Sequence, residues 1–258
     1  MRKAIRVFVA GGLSGFLALG LSVIKAGAES VDLLLVLAAD VSRSVDAQKF
    51  QLQREGYAAA IANPRVIEAI SSGRFHSIAI CYLEWSGSGS QKLVVDWTVI
   101  RDANSAGQFA SQLAETPRAF ADRTSISGAI DFAMAQFDRA PFDAPRRVID
   151  VSGDGTNNAG RDVNEARDEA VARGVTINGL VILTAHPLSW NADHTNPAGG
   201  LTNYYRANVI GGPGAFVHEA EDFNAFGQTI LNKLVAEIAG VAPPARAALL
   251  ARGTQIRR

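Results

Sequence analysis

The sequence is poor in the residues that bind soft metals or cross-link small folds. It contains one cysteine, Cys81, and four histidines in 258 residues. A single cysteine cannot form an intrachain disulfide, and this set excludes a cysteine-based zinc site and an iron–sulfur cluster. Because Cys81 lies in the apolar run 78–85, we expect a buried, unreactive thiol.

The sequence also lacks the short motifs of common catalytic machinery. It has no G-x-S-x-G nucleophile elbow, no G-x-x-x-x-G-K-[ST] phosphate loop and no H-E-x-x-H zinc motif. What is present is apolar side chain, since 48% of the residues are hydrophobic and 19% are charged. This composition excludes disorder as the main state and predicts one sizeable globular domain.

The first 28 residues have the pattern of a secretory signal peptide. A basic start precedes an apolar stretch at 7–24, and small residues occupy the third and last positions before Glu29. We therefore expect cleavage after Ala28 and an exported protein, periplasmic or extracellular, without stable membrane insertion once the peptide is removed. A retained anchor is the alternative, because the apolar stretch is just long enough to span a bilayer.

Charge distribution argues against a nucleic-acid partner. The whole chain has 25 basic and 25 acidic residues, but four of the basic ones lie in the predicted signal peptide and four in the last thirteen residues. The body between them is strongly acidic, which disfavours binding to phosphate backbones. We expect a domain over 29–240, followed by a basic tail rich in proline, alanine and arginine over 241–258.

Apolar strand patterns alternate with helical patterns along this domain. The spacing predicts strands at 31–39, 76–85, 91–100, 146–152, 175–183 and 214–218, and helices at 46–63, 105–115, 125–137, 162–173 and 222–238. Serine and glycine between the second and third runs predict a hairpin. The expected fold class is α/β, a Rossmann-like three-layer sandwich whose central sheet is mostly parallel with one antiparallel edge strand from the hairpin.

Sheets of this class bind ligands at the carboxyl ends of their strands. Asp40, Ser42 and Ser44 alternate after the first strand, so an extended chain can turn their oxygens toward one point. Thr124, in a loop before a helix, and Asp154, after the fourth strand, could complete the set. Carboxylate and hydroxyl oxygens suit a hard divalent cation, Mg²⁺ foremost, with Mn²⁺ and Ca²⁺ as alternatives. A plain helix cap at Ser44 or Asp46 is the competing interpretation.

This pattern resembles the metal-ion-dependent adhesion site (MIDAS) of the von Willebrand factor type A domain, also called the integrin inserted-domain fold. The likeness covers nearly the whole chain after the predicted signal peptide. That family has Asp-x-Ser-x-Ser after the first strand, a later Thr, and Asp-Gly after the fourth strand. The resemblance implies that Ser42, Ser44 and often Thr124 bind metal directly, while Asp40 and Asp154 act largely through water. It also implies that a partner's Asp or Glu completes the metal shell.

The stretches VSGDGTNN and LTNYYRANVIGGPGAF are similar to an uncharacterised group of exported bacterial proteins related to this fold. That likeness implies no activity. One departure from the wider family pattern concerns position 153, where members commonly have Thr or Ser and this chain has Gly153. The departure leaves open how the following Asp154 is held.

The connection at 184–214 is unusually long for a fold of this kind. Because it leaves the carboxyl end of a parallel strand, we expect it to overhang the edge that holds the predicted metal. It either selects a partner or ligand, or covers the sheet edge. Its candidate residues are His186, Trp190, Asp193, His194, Tyr204 and Tyr205.

The function that these features favour is a non-catalytic, metal-dependent binding module that grips an acidic group on a protein partner. One alternative is a hydrolase of phosphoester type in which the same ion activates water, with His186, Asp193 or His194 as the base. Another alternative is an interaction domain that binds no metal.

Overall fold

The computed structural model describes residues 28–184, 187–189 and 191–240. The predicted signal peptide, apart from Ala28, and the predicted basic tail at 241–258 lie outside these residues. In chain order the elements are β1 (Glu29–Ser30), β2 (Leu34–Asp40), α1 (Ala47–Ile61), α2 (Pro64–Ser71), β3 (Ile78–Trp85), β4 (Gln91–Ile100), α3 (Ala103–Glu115), α4 (Ile126–Arg139), β5 (Phe142–Asp143), β6 (Arg147–Gly153), α5 (Val163–Ala172), β7 (Thr176–Ile182), α6 (Ala192–Thr195), α7 (Leu201–Asn208), β8 (Val217–Ala220) and α8 (Phe226–Ala239).

The central sheet has the strand order β4-β3-β2-β6-β7-β8 in the described residues. Strand β4 lies at one edge and pairs antiparallel with β3, whereas the other neighbouring strands pair in parallel. A separate two-stranded parallel sheet joins β1 and β5. The predicted α/β class is confirmed, including the hairpin that supplies the one antiparallel edge strand.

Strand β2 is buried on both faces, as its nearly continuous apolar run predicts. Leu33, Leu35 and Leu37 belong to a core shared with α1, α3 and α8. The alternate residues Leu34 and Val36 belong to the opposite core, which is shared with α4, α5 and α7. Two helical layers therefore enclose the sheet, and no helix among the described residues is long and apolar enough to cross a membrane.

Several element boundaries differ from the sequence-based expectations. The chain turns at Asn63 and continues as α2 because the Asn63 side chain accepts a hydrogen bond from Arg65 N and Pro64 occupies the first helical turn. The last strand lies at 217–220 rather than 214–218. Helix α8 begins at Phe226 because Asp222 caps a turn by accepting from Ala225 N at 2.9 Å. The segment 184–214, expected as a loop, contains α6 and α7.

The single thiol is as inert as its position predicts. Cys81 lies in β3 with no exposed surface, between residues of the core shared with α4. Burial raises the pKa of the Cys81 thiol well above its ordinary value. The reactive thiolate is therefore not populated at neutral pH.

Helix α8 is fastened to β6 by a buried charge cluster. Lys233 Nζ lies 2.7 Å from Asp150 Oδ1 and 2.5 Å from Glu237 Oε1, and none of the three side chains is more than 1% exposed. Asn178 Nδ2 also donates to Glu237 Oε1 at 2.8 Å. Burial, with the nearby charge of Glu237, raises the pKa of Asp150 to about 7, against the lowering effect of Lys233. One ammonium group thus compensates two carboxyl groups.

Replacing the ammonium should destabilise the fold strongly. In Lys233→Met two buried carboxyl groups lose the ammonium that pairs with both of them, so we expect a loss of about 3–5 kcal/mol in the free energy of unfolding at pH 8, measured by urea denaturation. The folded state then holds protons more tightly than the unfolded state, so the variant's stability should fall as pH rises from 5 to 8, more steeply than that of the wild type.

The matched control is Lys92→Met, which changes an exposed lysine in β4. We expect it to alter stability by no more than about 0.5 kcal/mol. Equal losses in the two variants would show that the buried cluster carries no special stability.

Candidate metal centre

Three of the predicted site residues lie at the carboxyl end of β2. Asp40 is the last residue of the strand, and its Oδ1 accepts a hydrogen bond from Ser42 N at 2.7 Å. This bond curls the chain so that Ser42 Oγ and Ser44 Oγ come within 3.1 Å of each other. All three side chains are buried, Asp40 completely. Buried hydroxyl and carboxylate oxygens therefore gather immediately after the strand.

Asp154 joins this group from the neighbouring strand. Strands β2 and β6 pair in parallel, with Ala39 opposite Ser152, so their carboxyl ends lie side by side. Ser44 Oγ donates to Asp154 Oδ1 at 2.5 Å. The predicted set around Asp40, Ser42, Ser44 and Asp154 is thus brought together by strand order.

Thr124 reaches the same place from the loop before α4. Its backbone is tied to the loop after β6, because Thr124 N donates to Asn158 Oδ1 at 3.0 Å and Thr124 O accepts from Asn158 N at 2.9 Å. Thr124 and Ser44 line one cavity of about 350 Å³ at this edge of the sheet. Asn158 is the residue that holds Thr124 there.

The two carboxyl groups are held in an environment that disfavours their charge. Burial raises the pKa of Asp40 to about 8, with a further contribution from the charge of Asp154, although the hydrogen bond from Ser42 N opposes both. Burial likewise raises the pKa of Asp154, against the hydrogen bond from Ser44 and the charge of Lys49. Lys49 Nζ lies 3.8 Å from Asp154 Oδ2. Lys49 is therefore a cation beside Asp154, and the charge of Arg118 acts on Asp40.

The donor set fits a hard divalent cation. Two carboxyl groups and three hydroxyls supply oxygen ligands, and the carboxylates balance the ion's charge. Asp40 Oδ2 is buried and has no hydrogen-bond partner among the described residues. The described residues contain no group of three or more His, Cys, Asp or Glu side chains arranged to hold a metal. Any ion here would depend on the serine and threonine hydroxyls.

His194 covers this group from α6. Its side chain is buried, with Nε2 3.1 Å from Thr124 Oγ1 and Nδ1 3.2 Å from Thr156 Oγ1. Burial lowers the pKa of His194, so the imidazole is neutral at pH 7. A Cβ added to Gly155 would lie 2.2 Å from the His194 ring, so the missing side chain makes room for this contact.

Tyr205, on α7, approaches from the same segment. It is completely buried, and a Cβ added to Gly153 would lie 2.5 Å from its hydroxyl oxygen. Tyr204 is partly buried, and its hydroxyl accepts from Asn157 N at 3.1 Å. Of the other residues singled out in this segment, Asp193 is exposed to solvent. His186 and Trp190 lie outside the described residues.

The segment's position agrees with the expectation that it overhangs the sheet edge of the predicted site. Sequence reasoning did not find Asn158 as the anchor of Thr124, nor Lys49 as the cation beside Asp154. Lys49 lies one helical turn beyond Asp46, which caps α1 by accepting from Lys49 N at 2.9 Å. An N-cap at Asp46 would have placed Lys49 in the first turn of α1, next to the end of β2, and is the signal from which its position could have been predicted.

A side chain at position 155 should displace the His194 imidazole from its buried position. In Gly155→Ala the new Cβ clashes with the imidazole, so we expect a stability loss of about 1–3 kcal/mol by urea denaturation. In a His194→Ala background the same change should cost at least about 1 kcal/mol less, because the clashing ring is absent.

Gly107→Ala is the control for this prediction. A Cβ at Gly107, inside α3, meets nothing within 4 Å. We expect this change to stabilise the protein by up to about 1 kcal/mol, since alanine is the better helix former. If Gly155→Ala lowered the stability by the same amount in the wild type and in the His194→Ala background, the contact between position 155 and His194 would be contradicted.

Solved structures with a similar fold include one named as a von Willebrand factor type A structure and one with a MIDAS motif. Proximal thread matrix protein 1 (PTMP1) from the mussel byssus, in its form with a zinc-occupied MIDAS motif, aligns with a TM-score of 0.55 at 15% identity, covering 83% of this chain and 50% of that one. A von Willebrand factor type A structure from Catenulispora acidiphila aligns at 0.54 with 14% identity, covering 81% and 43%. The pilus adhesin SpaC from Lactobacillus rhamnosus GG, in its open conformation, aligns at 0.58 with 13% identity, covering 83% and 31%.

The fold is therefore that of a von Willebrand factor type A domain, and at these identities the likeness establishes the fold alone. Within this fold the chain belongs to the family described as "Protein of unknown function (DUF1194)", whose model matches residues 30–242. No curated protein sequence matches the chain. The chain spans half or less of the length of these three solved structures.

Proposed function

We propose that this chain is an exported, metal-dependent binding module that grips an acidic group on a protein partner through a divalent cation. One observation carries the proposal. Two buried carboxyl groups and three hydroxyls gather at the ends of β2 and β6, with a single lysine beside them and with Asp40 Oδ2 unpaired among the described residues.

The hydroxyl and the carboxyl residues have different roles in this arrangement. The hydroxyls of Ser42, Ser44 and Thr124 offer neutral oxygen ligands, while Asp40 and Asp154 supply the negative charge that balances the cation. A bound divalent cation contributes positive charge and open coordination positions at which a partner's carboxylate can bind. Asp40 also fixes the backbone of Ser42 through Oδ1 and so keeps the serine hydroxyls in place.

The cavity beside the hydroxyls favours an acidic partner group. It is lined by Ser44 and Thr124 together with two exposed arginines, Arg43 and Arg123, which outnumber the one exposed carboxylate in the lining, Asp122. Guanidinium groups bind carboxylates in paired hydrogen bonds, and exposed charges of this kind steer an oppositely charged partner toward the site. An Asp or Glu side chain on a protein partner is the group that we expect to enter.

The comparisons support a location outside the cytoplasm and a role in adhesion. The similar structures include a matrix protein of the mussel byssus and a pilus adhesin. The signal-peptide pattern of the first 28 residues points to the same export, periplasmic or extracellular. We expect Mg²⁺ as the ion, with Mn²⁺ and Ca²⁺ tested beside it and Zn²⁺ included because of the zinc-occupied MIDAS of PTMP1.

Ion binding should stabilise the folded chain. Protein stripped of metal by a chelator and titrated with Mg²⁺, Mn²⁺, Ca²⁺ or Zn²⁺ should unfold at a higher temperature, with a gain of about 2.7 kcal/mol at 100 times the Kd. Asp40→Asn/Asp154→Asn should show no ion-dependent gain. Without ion this variant should be at least as stable as the wild type, because it replaces two carboxyl groups whose charged forms burial disfavours.

The matched control is Asp96→Asn/Asp138→Asn, which neutralises two exposed carboxylates on β4 and α4. It should keep the full response to the ion. The metal site would be refuted if the unfolding temperature of the wild type did not rise with any of the four ions, even at ten times the millimolar concentrations usually tested. That result would favour the metal-free interaction domain.

A glutamate-bearing peptide should bind only when the ion is present. We expect fluorescence anisotropy of a labelled Glu-rich peptide to rise with the ion and to fall back when a chelator is added, whereas the Gln version stays unbound. Arg43→Gln/Arg123→Gln should weaken binding of the peptide by about tenfold and leave ion binding intact. Equal binding of the Glu and Gln peptides would contradict the acidic-partner assignment.

A metal-assisted hydrolase is the second candidate, and the position of His194 supports it. This neutral imidazole lies beside Thr124, where it could accept a proton from a nucleophilic water. The test is turnover of a nitrophenyl phosphodiester with each ion, in the wild type and in His194→Gln. Turnover that requires both the ion and His194 would establish the enzyme, and absence of turnover would leave the binding module.

A further inference from the structure

Two buried polar atoms face the same gap beside Gly153. Asp40 Oδ2 and the Tyr205 hydroxyl each have no hydrogen-bond partner among the described residues, and both side chains are completely buried. A Cβ added to Gly153 would lie 3.1 Å from Asp40 Oδ2 and 2.5 Å from the Tyr205 hydroxyl. Both atoms therefore border the space where a side chain at position 153 would begin.

The two groups are chemically complementary. A carboxylate oxygen accepts hydrogen bonds and a phenol donates one. Leaving either group buried and unpaired costs about 1–3 kcal/mol, more for a charged one. After a small shift, the Tyr205 hydroxyl can donate a hydrogen bond directly to Asp40 Oδ2. Without a shift, one water between the two atoms can join them. Either way the same donor, Tyr205, faces the same acceptor, Asp40.

The position of this gap explains the departure in the sequence motif. The von Willebrand factor A pattern commonly has Thr or Ser where this chain has Gly153. The Cβ of such a residue would occupy the space that the Tyr205 hydroxyl borders here. A side chain at 153 and the Tyr205 hydroxyl exclude each other, because 2.5 Å is far shorter than a van der Waals contact.

We propose that Tyr205 is a positioning residue of the metal centre and that its hydroxyl, supplied by α7, replaces the one that the family pattern places at position 153. It holds the free oxygen of Asp40, so that the Asp40 carboxylate stays oriented toward the ion. This inference rests on the proposed metal site. It assigns to the segment that covers the sheet edge a direct part in building that site.

The sheet has a groove that fits the tyrosine. A Cβ added to Gly179 in β7 would lie 3.0 Å from Tyr205 Cδ1. Gly153 and Gly179 lie on adjacent paired strands. Their missing side chains let the ring lie against the sheet with the hydroxyl at the site and one ring edge over β7. The metal centre should therefore form only when α7 is docked.

The test exchanges the source of the hydroxyl. Affinity for Mn²⁺ is measured by electron paramagnetic resonance of the free ion, for the wild type, Tyr205→Phe, Gly153→Ser and Gly153→Ser/Tyr205→Phe. We expect Tyr205→Phe to weaken Mn²⁺ binding by about tenfold, which corresponds to one hydrogen bond to a charged group. Gly153→Ser should lower the unfolding temperature, because its Cβ meets the tyrosine hydroxyl.

Gly153→Ser/Tyr205→Phe should regain most of the affinity for Mn²⁺ that Tyr205→Phe loses. After the tyrosine hydroxyl, the atoms nearest to a Cβ at 153 belong to Asp40, at 3.1 and 3.5 Å, so removing the tyrosine hydroxyl removes the shortest contact of the serine Cβ. The serine then supplies the lost hydroxyl, and Mn²⁺ affinity should return to within about threefold of the wild type. A purely structural role for Tyr205 predicts no such recovery.

The control is Tyr82→Phe, which removes another buried phenol hydroxyl that has no hydrogen-bond partner among the described residues. Tyr82 lies in β3 on the α1 side of the sheet, so Mn²⁺ affinity should not change. A wild type that binds Mn²⁺ while Tyr205→Phe binds it equally well would overturn this inference and leave the metal site standing. A wild type that binds no ion would overturn the proposed function, and the inference with it.

Discussion

Burial of two carboxyl groups at the ends of neighbouring strands is the constraint around which this edge of the molecule is organised. Parallel pairing of β2 with β6 brings Asp40 and Asp154 together, and both are shielded from water. Isolated charges in such surroundings are costly. Hydroxyls, backbone amides and one lysine reduce that cost only in part, as the raised pKa of Asp40, about 8, records. The chain tolerates an unfavourable arrangement here, which is characteristic of sites built to bind something.

Much of the fold followed from the sequence because its strands carry local signals. The uninterrupted apolar run of β2 predicts burial on both faces, and the serine and glycine residues between β3 and β4 predict the hairpin. The site residues at the strand ends were likewise accessible, because Asp40, Ser42 and Ser44 alternate after a predicted strand. Asp154 follows another strand, and the expected sheet topology alone places the two strand ends at one edge.

The rest could not be predicted because it depends on contacts between distant parts of the chain. No local pattern shows that Asn158 holds Thr124, or that a tyrosine on α7 reaches Gly153. Nothing in the sequence distinguishes the roles of the glycines at 153 and 155. The absence of a side chain makes room for the Tyr205 phenol at the first and for the His194 imidazole at the second. Helix α2 was missed for a local reason, since a proline that can end one helix can also begin the next.

The lone cysteine has a consequence for the chain's tolerance of oxidants. Cys81 is buried in β3 and is the chain's only thiol, so the chain can form no intrachain disulfide and presents no accessible thiol to an oxidant. We therefore expect no thiol–disulfide exchange within the chain, in reducing and oxidising compartments alike. The same feature means that a cysteine introduced at an exposed position would be the one site open to thiol-directed labels, with no need to remove the native residue.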